Sequence, residues 1–205
     1  LLLLMLVNAT IVSTAIFALR GIYFALLEEG GVAPAVVIEQ GGRINAAGTA
    51  SSPITFTTVL AESALADSTS AVTDSDYAAT ALGETGKWGG LIILGSAPTS
   101  AASYSTNYIE GIDNKPYGGT DPSDSSGTLQ YVRVWHGGAV IGDNNEINGI
   151  TFGGVGSGTV VDHCEVAYNA DDGFEFFGGT VNVKYLSVLF GKDDSFDTDE
   201  GYQGK

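Results

Sequence analysis

The sequence has few basic residues, a single cysteine and no amphipathic helical pattern after about residue 30, and each absence excludes a class of protein. Its 205 residues include 8 Lys and Arg against 24 Asp and Glu, which gives a formal net charge of −16. A nucleic-acid-binding surface needs basic side chains to replace phosphate counterions, so nucleic acid is excluded as a partner. One cysteine, Cys164, excludes an internal disulfide framework. The missing helical pattern argues against a sheet of alternating strands and helices.

The longest apolar stretch lies at the start of the chain. Residues 1–27 carry one charged residue, Arg20. About 20 such residues in a helix span the apolar core of a bilayer. The pattern therefore predicts an N-terminal apolar α-helix over residues 1–30, serving as a membrane anchor or a signal-like segment. Residues 1–27 would then be the protein's only contact with a membrane.

From about residue 31, short runs rich in Val, Ile, Phe and Tyr alternate with Gly-rich turns, which predicts strands. The runs are Ala35–Ile38, Ile54–Val59, Leu91–Leu94, Leu129–Trp135, Ile147–Phe152, Val160–Ala167 and Val181–Phe190. Two polar segments, about residues 60–86 and 96–127, are predicted to be long surface loops. Tyrosines 104, 108 and 117 in the second loop either stack on sugar rings or face solvent.

An internal repeat indicates how the strands are arranged. Residues 161–175 match residues 183–197 at an offset of 22, and residues 129–136 enter the same frame. Repeats of twenty-odd residues with short strands are typical of a solenoid, in which like residues of successive coils stack. The prediction is an all-β domain over residues 31–205, a parallel β-helix. A β-sandwich with a chance match is the alternative.

The same offset stacks acidic residues at one edge of the solenoid. Adjacent coils lie about 4.8 Å apart, so like charges at this edge must protonate, turn outward or share a cation. Calcium suits such a site because it accepts 6–8 oxygen ligands in flexible geometry, and Asn169 is a further oxygen donor there. The predicted metal ligands are Asp171, Asp172, Glu175, Asp193, Asp194, Asp197 and Asp199. The alternative is a solvated acidic edge that keeps an open β-edge soluble.

Zinc does not fit this sequence. Its nitrogen and sulfur candidates, His136, His163 and Cys164, lack the spacing of zinc-ligand pairs. Both histidines are predicted to be structural, and Cys164 is predicted to be a small core residue.

Four segments carry a family resemblance: VVIEQGGRINAAGTASSPITFTT (36–58), GKWGGLIILGSAP (86–98), residues 131–185 and GKDDSFDTDEGYQGK (191–205). On these segments, residues 36–205 resemble the secreted right-handed parallel β-helix proteins of bacterial surfaces, which have a pectin-lyase-like fold. The resemblance implies an extracellular or cell-surface protein, without an established reaction, whose relatives continue beyond GYQGK. We therefore expect the solenoid to be truncated here.

A second resemblance concerns residues 1–32. The segment LRGIYFALLEEGGV (19–32) looks like the end of a helix in a major facilitator superfamily transporter. Either residues 1–30 are a fused fragment or they are a genuine anchor. One helix cannot form a transport path, so no transport function is implied.

Three functions fit these observations. The first is an exported, non-enzymatic surface β-helix that binds carbohydrate or another surface protein, as in adhesion. The second is a polysaccharide-degrading enzyme, a hydrolase or lyase, that uses paired carboxylates. The third is a structural surface spacer. We assign no catalytic residue, because the segment NADDG (169–173) is only loosely similar to a polygalacturonase motif whose Gly-His-Gly and Arg-x-Lys elements are missing.

Overall fold

A computed structural model describes residues 22–25, 35–57, 85–109, 112, 114–142 and 145–205. Most strands in this part of the chain stack into three sheets. Sheet A has the order β1 (Ile22–Ala25), β2 (Ala35–Ile38), β5 (Leu91–Leu94), β10 (Ile150–Gly153), β13 (Phe174–Phe177) and β16 (Phe196–Asp199). Sheet B has the order β14 (Val183–Lys184), β11 (Val160–Asp162), β6 (Gly127–Gln130) and β3 (Ile44–Ala47). Sheet C has the order β15 (Ser187–Leu189), β12 (Glu165–Ala167), β7 (Val132–Trp135) and β4 (Ile54–Phe56).

The chain passes through sheets A, B and C in turn, and each pass forms one coil. Coil 1 is β2–β3–β4, coil 2 is β5–β6–β7, coil 3 is β10–β11–β12 and coil 4 is β13–β14–β15, after which β16 returns to sheet A. Every pairing between coils is parallel. This confirms the all-β prediction and is consistent with a right-handed parallel β-helix, and it excludes the β-sandwich.

The 22-residue offset read from the sequence is the register of the structure. The Cα partners across coils 3 and 4 and β16 include Val161 with Val183, Val166 with Val188, Phe174 with Phe196, and Glu175 with Asp197. Val134 of coil 2 pairs with Val166, as the third segment of the repeat predicted. Like residues therefore stack along the solenoid axis.

The core lies inside the coils and is made of apolar ladders. In sheet A, the inward positions of coils 2, 3 and 4 are Leu91, Ile150 and Phe174, all of which are fully buried. Phe196 continues this ladder and stacks on Phe174 with ring centroids 5.6 Å apart, and it is 51% exposed. Cys164 is buried in the same core, as predicted.

Two columns of aromatic rings mark the turns. Column 1 comprises Tyr131, His163 and Tyr185, between sheets B and C, and column 2 comprises His136, Tyr168 and Phe190, after sheet C. All six residues have positive φ, between 50° and 62°. Glycine adopts this conformation without strain, whereas a bulky residue does not. Stacking of each ring on the next coil, at centroid distances of 4.4–5.1 Å, helps to offset that strain.

The predicted N-terminal helix falls almost entirely outside the described residues. Its residues 22–25 form strand β1, which pairs antiparallel with β2 at the edge of sheet A. For these four residues the helix prediction is wrong, because the segment IYFA pairs with the open edge of a sheet. In the described part of the chain, we find no helix with the length and apolarity needed to cross a membrane.

The two predicted loops have different outcomes. Most of the first, about residues 60–86, lies outside the described residues. The second, about residues 96–127, folds back over sheet A and contains a 3-10 helix at Tyr104–Thr106. Ile109 and Tyr117 of this loop pack against Ile92 and Leu94 on the outer face of the sheet. Tyr117 is 1% exposed and so does not face solvent, whereas Tyr108 is 36% exposed.

A short antiparallel pair, β8 (Val140–Gly142) with β9 (Asn145–Glu146), lies between β7 and β10.

Candidate functional site

The predicted acidic residues lie on the outer face of sheet A and in the turns that lead into it. Asp171 and Asp172 precede β13, and Asp193 lies in the equivalent turn of the next coil, just before β16. Side chains alternate along a strand, so the inward-facing Phe174 and Phe176 place Glu175 on the outer face. Parallel register then places Asp197 beside Glu175. We call Asp172, Glu175 and Asp197 the acidic cluster.

Carboxylate oxygens in this region are close enough to share one ion. The three residues of the acidic cluster each offer a ligand atom, and these atoms lie within 4.8 Å of one another. Asp171, Asp172 and Asp193 form a second such group at the turn. Asp194 and Asp199 belong to neither group, so five of the seven predicted ligands are brought together.

Backbone contacts hold the turn that carries Asp172. The Asp172 carboxylate accepts a hydrogen bond from the Asp194 amide at 2.9 Å. The fully buried Asn169 donates its amide hydrogens to the carbonyls of Asp171 and Asp172, at 3.0 and 2.7 Å. The NH2 group of Asn169 thus braces the turn, a role that the sequence analysis did not foresee.

Two further residues at the cluster were missed in the sequence. Asn148, which is buried, donates a hydrogen bond to the carboxylate of Glu175 and also contacts the hydroxyl of Thr151 at 3.3 Å. Thr151 is the strand partner of Glu175 in the preceding coil. Thr151 and Glu175 are 24 residues apart in the chain, so the 22-residue repeat did not reveal their contact. The polar pair Asn148–Thr151 inside an apolar run was the available signal.

Burial and mutual repulsion disturb the protonation of the cluster. Burial, assisted by the charges of Asp172 and Asp197, raises the pKa of Glu175 to about 8, although the hydrogen bond from Asn148 opposes the change. Burial and the neighbouring Asp171 raise the pKa of Asp172 to about 6. Near neutral pH, Glu175 therefore holds a proton. A divalent cation would relieve the same repulsion by displacing that proton.

The donor set fits a hard cation. All ligand atoms in both groups are carboxylate oxygens, which suit calcium or magnesium, and neither group among the described residues includes His or Cys. His136 is buried and stacks on Tyr168 in column 2, as its predicted structural role requires. His163 belongs to column 1 and is partly exposed. The acidic groups can hold a metal ion, but their geometry alone does not identify it.

Comparisons with known proteins agree with this architecture. The family model described as a pectate-lyase-like beta helix domain matches residues 18–205. No curated protein and no solved structure matched the chain. A domain of this kind suggests a function related to polysaccharides. Because the match covers most of the chain together with its stacked parallel sheets, the chain belongs to the family of pectate-lyase-like β-helix domains.

Proposed function

We propose that this chain is a non-enzymatic, polysaccharide-binding β-helix of the cell surface in which the acidic cluster holds calcium. One observation carries the proposal: Asp172, Glu175 and Asp197 lie together on the outer face of a sheet in a pectate-lyase-like domain. The surface location comes from the sequence resemblance. The family supports polysaccharide as the bound partner, and the carboxylate ligands support calcium as the cation.

Calcium would connect the cluster to a saccharide. Three carboxylates supply only part of the 6–8 oxygens that calcium accepts. All three side chains are partly exposed, so the remaining ligand positions face solvent. A carboxylate or hydroxyl group of an acidic polysaccharide can fill them. Such bridging would allow a strongly acidic protein to bind an acidic glycan that it would otherwise repel.

Thermal unfolding with and without calcium tests the metal. At calcium concentrations about 100-fold above Kd, binding to the folded state should raise Tm by about 5–10 °C. The double variant Glu175→Gln/Asp197→Asn should lose this shift. Asp121→Asn, which changes an exposed loop acid outside both groups, should keep it. An unchanged Tm for the parent protein would refute calcium binding.

Calorimetric titration with a hexamer of galacturonate tests the ligand. Binding should require calcium and should disappear in the same double variant. If calcium raises Tm and the hexamer still does not bind, the cation has a structural role, and the spacer function is favoured.

A polysaccharide-degrading enzyme is the second candidate, and the raised pKa of Glu175 favours it. A carboxyl group that is protonated near neutral pH can act as a general acid, and the nearby carboxyl groups of Asp172 and Asp197 are candidates for the base. Reducing-sugar release would report a hydrolase, and absorbance of unsaturated products would report a lyase. Either activity should be lost in Glu175→Gln, and its appearance would replace the binding function.

A further inference from the structure

An open groove runs along the turn between sheets B and C, separate from the acidic cluster. It has a volume of about 180 Å³ and receives residues from all four coils. Its walls include Pro53 of the turn before β4, the three rings of column 1, and outward-facing residues of sheet C. Three inter-coil spacings of about 4.8 Å make it roughly 14 Å long. The groove is therefore elongated along the solenoid axis.

The rings of column 1 remain accessible, whereas most of column 2 does not. Tyr185 is 67% exposed and the His163 side chain is 39% exposed. In column 2, the equivalent Tyr168 is 4% exposed and His136 is 5% exposed. Both columns place bulky residues at positive φ, a conformation that costs free energy in any residue but glycine. Burial in the protein compensates for this cost in column 2, but column 1 keeps aromatic rings facing a groove.

Polar side chains form the other wall of the groove. Arg133, Glu165 and Ser187 are strand partners in successive coils of sheet C. Arg133 lies 3.9 Å from Glu165 and also stands over the ring of Trp135. These groups can donate and accept hydrogen bonds in coils 2, 3 and 4. A saccharide chain has hydroxyl groups and apolar C–H groups on every ring. It therefore fits a groove that has hydrogen-bonding side chains on one wall and aromatic rings on the other.

The charges at the groove are paired, unlike those of the chain as a whole. Asp162 contacts both His163, at 2.5 Å, and Lys184, at 3.3 Å. Arg133 and Glu165 pair across adjacent coils. The groove thus has no excess of acidic groups, although the whole chain has a net charge of −16. Its ligand needs neither a charge of its own nor a bridging cation.

We propose that this groove is a second saccharide site, which binds a neutral, extended glycan parallel to the solenoid axis. Successive sugar rings would contact the ring edges of column 1 on one side, since the ring faces stack on one another, and the Arg133–Glu165–Ser187 ladder on the other. The rise from coil to coil is close to the length of one β-1,4-linked sugar residue, so a chain and the solenoid can stay in step. The site is independent of calcium and of the acidic cluster.

Calorimetric titration of the full chain with cellohexaose, xylohexaose and chitohexaose tests the proposal. Tyr185→Asn is the informative variant, and Phe190→Asn is its matched control. Both residues lie in coil 4, have φ values of 54° and 55°, and have exposed rings. Asparagine tolerates this backbone conformation, so neither change should disturb folding. Circular dichroism and Tm check this for each variant.

At least one neutral hexamer should bind the parent protein and bind Tyr185→Asn about five- to tenfold more weakly, the scale of losing the contacts of one hydrogen-bonding side chain. Affinity for Phe190→Asn should be unchanged. Binding should also persist in EDTA and in Glu175→Gln, which distinguishes this groove from the calcium-dependent site. No binding of any neutral hexamer, an equal loss in both variants, or a loss in EDTA would overturn the proposal.

Discussion

The outer face of sheet A differs sharply between its two ends. In coils 1 and 2 it presents Val37 and Ile92, which are buried beneath the loop that carries Ile109 and Tyr117. In coil 4 and β16 the same ladder presents Glu175 and Asp197, which are partly exposed. The inward ladder of Leu91, Ile150, Phe174 and Phe196 in the same sheet is apolar throughout.

The difference shows that coil stacking determines the polarity of the inward-facing residues of a strand but not that of the outward-facing ones. Inward positions are apolar wherever they face the core, because burial there removes the side chain from water. An outward position takes its character from whatever lies over it, which is a loop at one end and solvent or a ligand at the other. Thr151, between Ile92 and Glu175, is the point of transition and is still buried.

The largest effect should come from placing an acid at the covered end. Ile92→Asp removes a fully buried side chain and leaves a carboxyl group beneath the loop, so we expect a loss of at least about 5 kcal/mol in the free energy of unfolding. The reciprocal change, Asp197→Val, should be neutral or stabilising because it relieves repulsion with Asp172. Urea denaturation measures both. Equal losses would show that the two ends do not differ in cover.

A smaller effect should distinguish positions within the inward ladder. Phe174→Ala empties a fully buried site and should cost about 3–5 kcal/mol. Phe196→Ala removes a ring from the same ladder, but that ring is 51% exposed and should cost about 1 kcal/mol. Thermal and urea unfolding of the two variants give the comparison. Similar costs would mean that Phe196 is covered in solution.

A further effect concerns pH at the exposed end. The pKa of Glu175 is raised to about 8 from an ordinary value of 4.5, so the folded state retains a proton that the unfolded chain releases. Stability is therefore highest below pH 4.5, as far as this group is concerned, and falls as the pH rises to about 8. Glu175→Gln should flatten that decline in calcium-free buffer. A variant with the parent's pH profile would contradict the raised pKa.

Sequence reasoning was most successful where coils follow one another without insertions. The offset of 22 held across coils 3 and 4 and β16, because no loop interrupts them, and it correctly placed Glu175 beside Asp197. It could not relate Leu91 to Ile150, since the long loop and the β8–β9 pair lie between these strand partners. It also missed Asn148, whose contact with Glu175 depends on a different offset.

The sequence by itself determined the class of the fold, the inward ladders and the stacked carboxylates. These follow from periodicity, because residues one coil apart must meet when parallel strands pair in register. Only the tertiary structure decided which outward residues are covered. It buried Tyr117 against Leu94, braced the acidic turn with Asn169, and left column 1 open beside Arg133. Those outcomes depend on where loops fold back on the solenoid, and the repeat carries no information about that.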